Sequence, residues 1–368
     1  MIITGVTLQN FRNFEETKVD FDPVLNMIVG DNAQGKTTLI EAIFVAAFGK
    51  SFRGAKDSEM VRFGSEYARV RVDYCKERYG PGHVEYRIKS DGSKSFRVNG
   101  VGITKLSALL GNMGIVLFHP EDLRLIKDGP GERRAFLNRE ISNLSLIYCN
   151  DLIEYNRILG QRNALLKMRQ VDPDQIAIWD EQLAERATKI VRKRLQYLEK
   201  LNRSCLDIHR SITRNEEIDV RYLGGFDFDA IDQYRDFMMQ RLKISLSMDI
   251  KRGYTGFGPH RDDLEVRIGG KPAKVFASQG QQRTAALSLK LSEIQIIRDE
   301  TGENPILLLD DVMSELDLKR QTELIRAFAD TQVILTTTDV THIIDAFARN
   351  SRQITVDKGK IKNGRNDE

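Results

Sequence analysis

The hydrophobic positions change period along this chain, and the changes mark out its parts. Val24-Leu25-Asn26-Met27-Ile28-Val29 is a short apolar run that stops at Gly30, the pattern of a buried strand. From Leu39 to Phe48 the apolar residues take helical spacing and stop at Gly49. Tyr67 to Tyr74 then alternates, with Ala68, Val70, Val72 and Tyr74 on one face, and Val84, Tyr86 and Ile88 repeat the period of two. Asp91-Gly92 and Asn99-Gly100 supply turns on either side of Phe96-Arg97-Val98. Residues 66–100 are expected to form an antiparallel meander, and Gly114 to Phe118 another buried strand.

From about Glu132 the strand patterns stop. Leu183, Ala187, Ile190, Val191, Leu195, Leu198 and Leu201 fall at spacings of three and four with charges between them, one apolar stripe on a long helix. Residues 140–169 read as a second helix, and Val171-Asp172-Pro173-Asp174 separates the two. An antiparallel helical arm inserted into an α/β domain accounts for this. Arg192-Lys193-Arg194 reads as the solvated back of that helix rather than a DNA contact. After about residue 250 the alternation returns, with strands at Ile306 to Leu309 and Val333 to Leu335 and a helix from Ala285 to Arg298. The expected organisation is a head built from residues 1–125 and 246–368 with a helical arm at 126–245. The polar tail, Arg365 to Glu368, is expected to fray.

Composition narrows the class. Of 368 residues, 41% are hydrophobic and 30% charged, which suits a folded chain of roughly 2.5 average domains and not a disordered one. Lysine plus arginine is 56 against 53 aspartate plus glutamate, so the net charge of +3 excludes histone-like binding by bulk charge. No basic cluster stands out along the sequence. Cys75, Cys149 and Cys205 have neither metal-ligand spacing nor a disulfide framework, which fits a reducing cytosol. The start, Met1 to Val6, lacks a signal peptide's charge and apolar core, and no apolar run approaches the ~20 residues of a membrane helix. A cytoplasmic protein without a membrane partner is expected.

Three motifs carry chemistry. Gly30-Asp31-Asn32-Ala33-Gln34-Gly35-Lys36-Thr37 matches G-x4-G-K-[ST], with Thr38 following, between a strand and a helix. Its glycines let backbone N–H groups curl around phosphate oxygens. Lys36 is expected to reach the β- and γ-phosphates and Thr37 to hold Mg²⁺, with the helix N-terminus aimed at the anion. Ile306-Leu307-Leu308-Leu309-Asp310-Asp311 is an apolar strand ending in two carboxylates. Asp310 is placed to ligate Mg²⁺, and Asp311, pointing elsewhere, to polarise an attacking water as general base. Ser278-Gln279-Gly280-Gln281 precedes a helix and has N-cap chemistry.

The order of P-loop, Ser-x-Gly-Gln, strand-Asp-Asp and Ser314-Glu315-Leu316-Asp317 resembles the ABC-type ATPases, and the helical insertion resembles their chromosome-maintenance branch. Further strings resemble the RecF family of bacterial recombinational-repair ATPases. They are Leu8-Gln9-Asn10-Phe11-Arg12-Asn13-Phe14, Lys50-Ser51-Phe52-Arg53, Phe118-His119-Pro120-Glu121-Asp122-Leu123, Gly131-Glu132-Arg133-Arg134-Ala135-Phe136-Leu137 and Gly258-Pro259-His260-Arg261-Asp262-Asp263-Leu264. This resemblance implies an ABC-type P-loop ATPase head with a β-meander lobe, ATP and Mg²⁺ as cofactors, double-stranded, gapped or junction DNA as a partner, and RecO and RecR as further partners. It implies an ATP-dependent homodimer in which Ser278, Gly280 and Gln281 of one copy complete the site of the other. It places Arg12 and Asn13 near the nucleotide, although Arg12 also reads as the partner of a local acid. No glutamine follows Phe118 where ABC proteins carry their glutamine loop, and Glu121 is a candidate substitute. Thr338 stands where many relatives have a histidine, and Asp311 where many have glutamate, two departures that imply slow hydrolysis.

Three rival readings make different demands. A transporter ATPase subunit needs a membrane partner, and the absent glutamine loop and switch histidine count against it. A small-molecule P-loop kinase leaves Ser278 to Gln281 and Ser314 to Asp317 without a role. A scaffold that uses ATP only structurally has no need of Lys36, Asp310 and Asp311 together.

Overall fold

The computed structural model describes residues 1–213, 215–313, 316–327, 331–338 and 351–362. The chain opens with β1 (Ile2–Phe11), β2 (Phe14–Asp20) and β3 (Leu25–Val29), then α1 (Lys36–Phe48). Five strands follow: β4 (Tyr67–Lys76), β5 (Gly80–Lys89), β6 (Lys94–Val98), β7 (Val101–Ile103) and β8 (Ile115–Phe118). Five helices come next: α2 (Arg124–Lys127), α3 (Pro130–Leu144), α4 (Leu146–Leu166), α5 (Pro173–Ile212) and, after β9 (Ile218–Leu223), α6 (Tyr234–Arg252). Then come β10 (Asp263–Ile268), β11 (Lys271–Pro272), α7 (Ala273–Phe276) and α8 (Gln279–Thr301). The chain closes with β12 (Ile306–Asp310), α9 (Leu318–Ala327), β13 (Val333–Thr337), β14 (Arg352–Asp357) and β15 (Lys360–Lys362).

Contacts divide the chain into two units, Met1–Asp122 with Lys290–Glu368, and Leu123–Leu289. The first holds two six-stranded sheets. One is antiparallel, in the order β2-β1-β4-β5-β6-β7, so the expected meander is joined by the N-terminal hairpin. Ala68, Val70, Val72 and Tyr74 are buried as their alternation predicts, and α1 packs against β4 and β5. The other sheet has the order β15-β14-β3-β13-β12-β8 and is parallel from β14 to β8. Its central strands are buried on both faces, which is why they read as continuous apolar runs.

The second unit is helical with a three-stranded sheet, β11-β10-β9. Residues 140–169 are not one helix. Ser145 has an extended backbone between α3 and α4, and its hydroxyl accepts from the Tyr148 amide at 3.3 Å, capping α4. Asp172 and Pro173 start α5, and α4 packs along it. The expected break at 245/246 falls inside α6, and the helical unit runs on to Leu289. Two long-range links within the unit account for this. β10 pairs with β9, and buried Arg162 binds Asp249 and Thr255.

The basic run on α5 also needs correction. Arg192 and Lys193 are exposed, but Arg194 is 1% exposed and donates to Tyr148, Tyr222, Pro259 O and Asn138. The strings at 131–137 and 258–264 are partners in the same network. Arg133 forms a two-bond pair with Asp263 at 2.7 and 2.9 Å, and Tyr222 donates to Asp262 at 2.7 Å. Among the described residues no helix is long and apolar enough to cross a membrane.

Candidate nucleotide-binding site

The parallel sheet brings distant residues to one edge. Its register sets Ile28 of β3 beside Thr336 of β13, Thr336 beside Asp310 of β12, and Leu309 beside Phe118 of β8. The C-terminal ends of four adjacent strands thus deliver Gly30, Thr336, Asp310 and His119 together. Parallel α/β sheets bind ligands at this edge.

The loop after β3 has the shape its glycines predict. A Cβ on Gly30 would stand 2.3 Å from Val356 O, and Gly35 has φ +121 with Asn13 Nδ2 2.7 Å from where a Cβ would be. Gly35 ends the loop and α1 begins at Lys36 with no side-chain cap, which leaves the first-turn amides pointing at the cleft. Asn13 Nδ2 donates to Gln34 O at 2.9 Å, and the amide of Lys358 donates to Gln34 Oε1 at 2.7 Å, tying the loop to its neighbours. The Lys36 ammonium is folded back on the loop, donating to Gly30 O at 2.6 Å and Asp31 O at 2.9 Å. Burial lowers its pKa, while Asp311, Asp310 and Asp31 act in the opposite sense.

Asp310 is 6% exposed and accepts at the same oxygen from the hydroxyls of Thr37 and Thr336, each at 2.9 Å. Burial raises its pKa, and the two hydroxyls and His119 oppose that. Thr336 Oγ1 in turn accepts from the Asp311 amide at 2.9 Å. Asp311 has φ 55, and this left-handed turn takes its side chain off the line of Asp310 and into the cleft wall. His119 Nδ1 accepts from the Glu121 amide at 3.1 Å, Nε2 stands 3.4 Å from Asp122, and the ring packs against Phe52.

The cleft, about 810 Å³, is lined at its phosphate end by Asn32, Ala33, Gly35, Lys36, Thr37 and Thr38, with Asp311 and Thr336 opposite. Arg12, Asn13, Arg53, Glu59, Val61 and Phe63 form the far side. The local acid expected as a partner of Arg12 is Glu41. Arg12 lines the cleft, and its guanidinium donates to Glu41 Oε2 at 3.1 Å and Oε1 at 2.8 Å. Glu41, on α1, is wholly buried and also accepts from Ser51 at 2.5 Å, with Arg53 3.7 Å away.

The Thr37 and Asp310 oxygens are close enough to share a metal ion. Two neighbouring ligands on an octahedral Mg²⁺ at ~2.1 Å lie roughly 2.9 Å apart, and the Thr37 and Asp310 oxygens are 2.9 Å apart. Among the described residues no cluster of three or more His, Cys, Asp or Glu is placed to hold a metal. A cation here would therefore lean on phosphate oxygens and water, the habit of Mg²⁺.

Other expected residues lie elsewhere. Thr338 is exposed beyond the end of β13, so the hydroxyl that meets Asp310 is that of Thr336. Glu121 is exposed, and the residue beside Asp310 is His119. Ser278, Gly280 and Gln281 belong to the helical unit. There Ser278 and Gln281 form a reciprocal cap, Ser278 N to Gln281 Oε1 at 2.9 Å and Gln281 N to Ser278 Oγ at 3.2 Å. Gln281 also donates to Glu216 at 2.8 Å. Ser314 and Glu315 lie outside the described residues, and Asp317 caps α9 through the Arg320 amide. Sequence reasoning did not single out Glu41, His119 and Thr336. The only signal was that His119 lies inside the Phe118–Leu123 string and that Glu41 and Thr336 lie near residues already marked.

Comparison with known proteins agrees with this geometry. Residues 2–362 match the family described as RecF/RecN/SMC N terminal domain. The DNA replication and repair protein RecF of Alkaliphilus oremlandii is 42% identical over 98% of this chain and all of its own length, and that of Clostridium beijerinckii is 38% identical over the whole of both. Solved structures of the recombination mediator protein RecF, as RecF-ATPrS and RecF-ATP in the RecFOR pathway, have a TM-score of 0.91 at 38% identity, covering 98–99% of this chain and 97% of theirs. An SMC head bound to the winged-helix domain of ScpA shares the fold, with a TM-score of 0.58 at 17% identity over 98% of this chain and 96% of its own. By sequence and by its ABC-type α/β head, the chain belongs to the RecF family of DNA replication and repair proteins.

Proposed function

We propose that this chain is an ATP-operated DNA clamp. The observation that carries the reading is the meeting of Thr37, Asp310 and Thr336 at the mouth of a P-loop, with Lys36 and Asp311 in the same cleft. ATP lies with its phosphates against the amides of residues 32–38, and Lys36 exchanges the carbonyls of Gly30 and Asp31 for phosphate oxygens. Thr37 and Asp310 would hold Mg²⁺, which would supply charge neutralisation at the phosphates. Asp311 orients and deprotonates the attacking water. Arg12, held by Glu41, and Asn13, held by Gln34 O, border the nucleotide.

Two ATP-bound copies close face to face, with Ser278, Gly280 and Gln281 of each meeting the γ-phosphate bound by Lys36 of the other. The closed dimer holds duplex DNA near single-strand gaps. Hydrolysis removes the shared phosphate and opens it, because ATP favours the closed state only through contacts made in both copies. The departures at Thr338 and Asp311 support a slow timer, with kcat below the ~10 s⁻¹ typical of enzymes. RecO and RecR are its partners in the cytoplasm, and its tasks are recombinational repair, replication restart and SOS induction.

Light scattering with ATP, ADP and no nucleotide tests the dimer. Mass doubling only with ATP, and only when Ser278 is intact rather than Ser278→Arg, is the expected result. Mass indifferent to ATP refutes the shared site. ATP-driven doubling of Ser278→Arg places the interface elsewhere.

A further inference from the structure

The cations of the antiparallel sheet form no run in sequence: buried Val70 parts Arg69 from Arg71, and buried Ile88 parts Arg87 from Lys89. Cross-strand register gathers them on the outer face. Arg69 of β4 stands directly opposite Arg87 of β5, Tyr67 opposite Lys89, and Glu85 opposite Arg97 of β6. Their strand neighbours Ala68, Val70, Val84 and Ile88 are buried beneath. Like charges directly opposite one another destabilise a sheet. Glu85 offsets part of this, with Arg69 at 2.5 Å and Arg87 at 3.2 Å. Burial opposes the charge on Glu85, yet Arg69, Arg87 and Arg97 hold its carboxyl below the ordinary range. On the strands Glu85 is the acid that faces these four cations, and Asp91 in the turn between β5 and β6 adds a second charge near Lys89. Elsewhere on the face Arg71 is matched by Asp73 at 2.8 Å. Arg69 Nε is buried and makes no hydrogen bond. Between the strands lies a hollow of about 730 Å³ walled by Tyr67, Arg87, Lys89 and Ser95, with Glu66 and Asp91 also on its lining.

We propose that this face of β4, β5 and β6 is where the phosphodiester backbone of duplex nucleic acid lies. The inference rests on the clamp reading and locates its DNA contact. Lys89 and Arg97 are offset by about 13 Å along the strands, and Arg69 on β4 and Arg97 on β6 lie about 10 Å apart across them at ordinary sheet spacing. One phosphate cannot meet all four, whereas a nucleic-acid strand offers a charge about every 3.4 Å of rise, roughly four over that length. Guanidinium groups, three of the four, suit phosphate oxygens through their paired donors. The ring of Tyr67 and the hydroxyl of Ser95 add neutral contacts and no sequence readout, so binding follows backbone shape and not base sequence.

The test is fluorescence anisotropy of a labelled blunt duplex with ATP, at salt concentrations from about 0.05 to 0.3 M. Wild type is compared with Lys89→Ala/Arg97→Ala, two exposed side chains that do not line the nucleotide cleft, and with Arg203→Ala on α5 as a charge control. Losing two phosphate contacts makes the plot of log affinity against log salt shallower by about 1.8. Affinity at physiological salt falls at least about tenfold. ATP hydrolysis and ATP-driven mass stay as in wild type, and Arg203→Ala binds like wild type. If the double variant keeps the wild-type slope while wild type binds DNA, the face is wrong and the clamp stands. If wild type binds no duplex in any nucleotide state, the clamp reading fails and this inference with it.

Discussion

Glu41 is the strongest test of how the cleft is held. Its carboxylate is wholly buried on the P-loop helix and answers to Arg12 through two hydrogen bonds, to Ser51 through a third, and to Arg53 at 3.7 Å. Removing one partner of a buried ion pair costs about 3–5 kcal/mol, because the remaining charge is stranded. The Arg12 side chain is 22% exposed, so water recovers part of its solvation and the lower end applies to Glu41→Gln, about 3 kcal/mol. Arg12→Ala leaves the carboxylate with only Ser51 and Arg53, a similar loss. The double variant strands neither group, so its cost is close to that of either single change, and the coupling energy is about 2–3 kcal/mol. Urea unfolding of the four proteins in the cycle measures it. ATP affinity measured alongside falls for Arg12→Ala and, through loss of its anchor, for Glu41→Gln. Costs that add to within about 0.5 kcal/mol refute the pairing as an energetic unit. A Glu41→Gln protein with wild-type ATP affinity refutes its role in positioning Arg12.

Three further outcomes follow from the geometry. Asp311→Asn lowers ATP hydrolysis at least about 100-fold while ATP-driven mass doubling persists; phosphate release and light scattering read the two, and equal losses in both contradict the general-base assignment. Thr336→Val removes a donor from Asp310 and strands the Asp311 amide, costing about 1–3 kcal/mol in thermal unfolding, and Thr336→Ser restores it. In the helical unit, burial lifts Asp262 from 3.8 to about 6 and lowers His260 from 6.5 to about 4. Folded Asp262 keeps a proton the unfolded chain has lost, so its contribution falls by about 3 kcal/mol as pH rises from about 4 to 6, while neutral His260 contributes an opposite rise of about 3 kcal/mol up to about 6.5. The two contributions nearly cancel across pH 4–6.5, so relative to wild type Asp262→Asn makes stability climb with pH and His260→Asn makes it fall; denaturation midpoints of the three proteins across that range decide.

How much of this was legible depended on whether the cause was local. The P-loop was readable because its glycines are demanded by its own path and by close approach: Gly35 sits at φ +121, and Gly30 has Val356 O against its Cα. The meander was readable because a half-buried antiparallel strand writes its two faces as alternation. The helical spacing of α5 was readable over its middle turns, and its start was set by Asp172 and Pro173. The division within residues 140–169 was not, since one Ser145 in an extended conformation leaves the apolar spacing on both sides nearly intact. The end of the helical unit was obscured for a different reason. Residues 246–289 join it through β10 pairing with β9 and through Arg162, whose partners Asp180 and Asp249 lie in two separate helices.

The site divides the same way. Lys36, Thr37 and Asp310 could be named because each motif places its own chemistry, but Thr336, His119 and Glu41 enter through neighbours in space. Thr336 reaches Asp310 only because β13 lies beside β12 in the register that pairs the two residues, whereas Thr338, two residues on, has left the strand. His119 comes to Asp310 because β8 is the next strand out and Phe118 is level with Leu309. Glu41 is the one polar residue between Leu39 and Phe48, and a carboxylate there is tolerable only because Arg12, Ser51 and Arg53 converge on it from two other segments. The strings Asn10 to Phe14 and Lys50 to Arg53 are therefore two halves of one polar contact, and the helix that carries Lys36 is what joins them. A charge that would be costly alone on that helix fixes an arginine at the border of the nucleotide cleft.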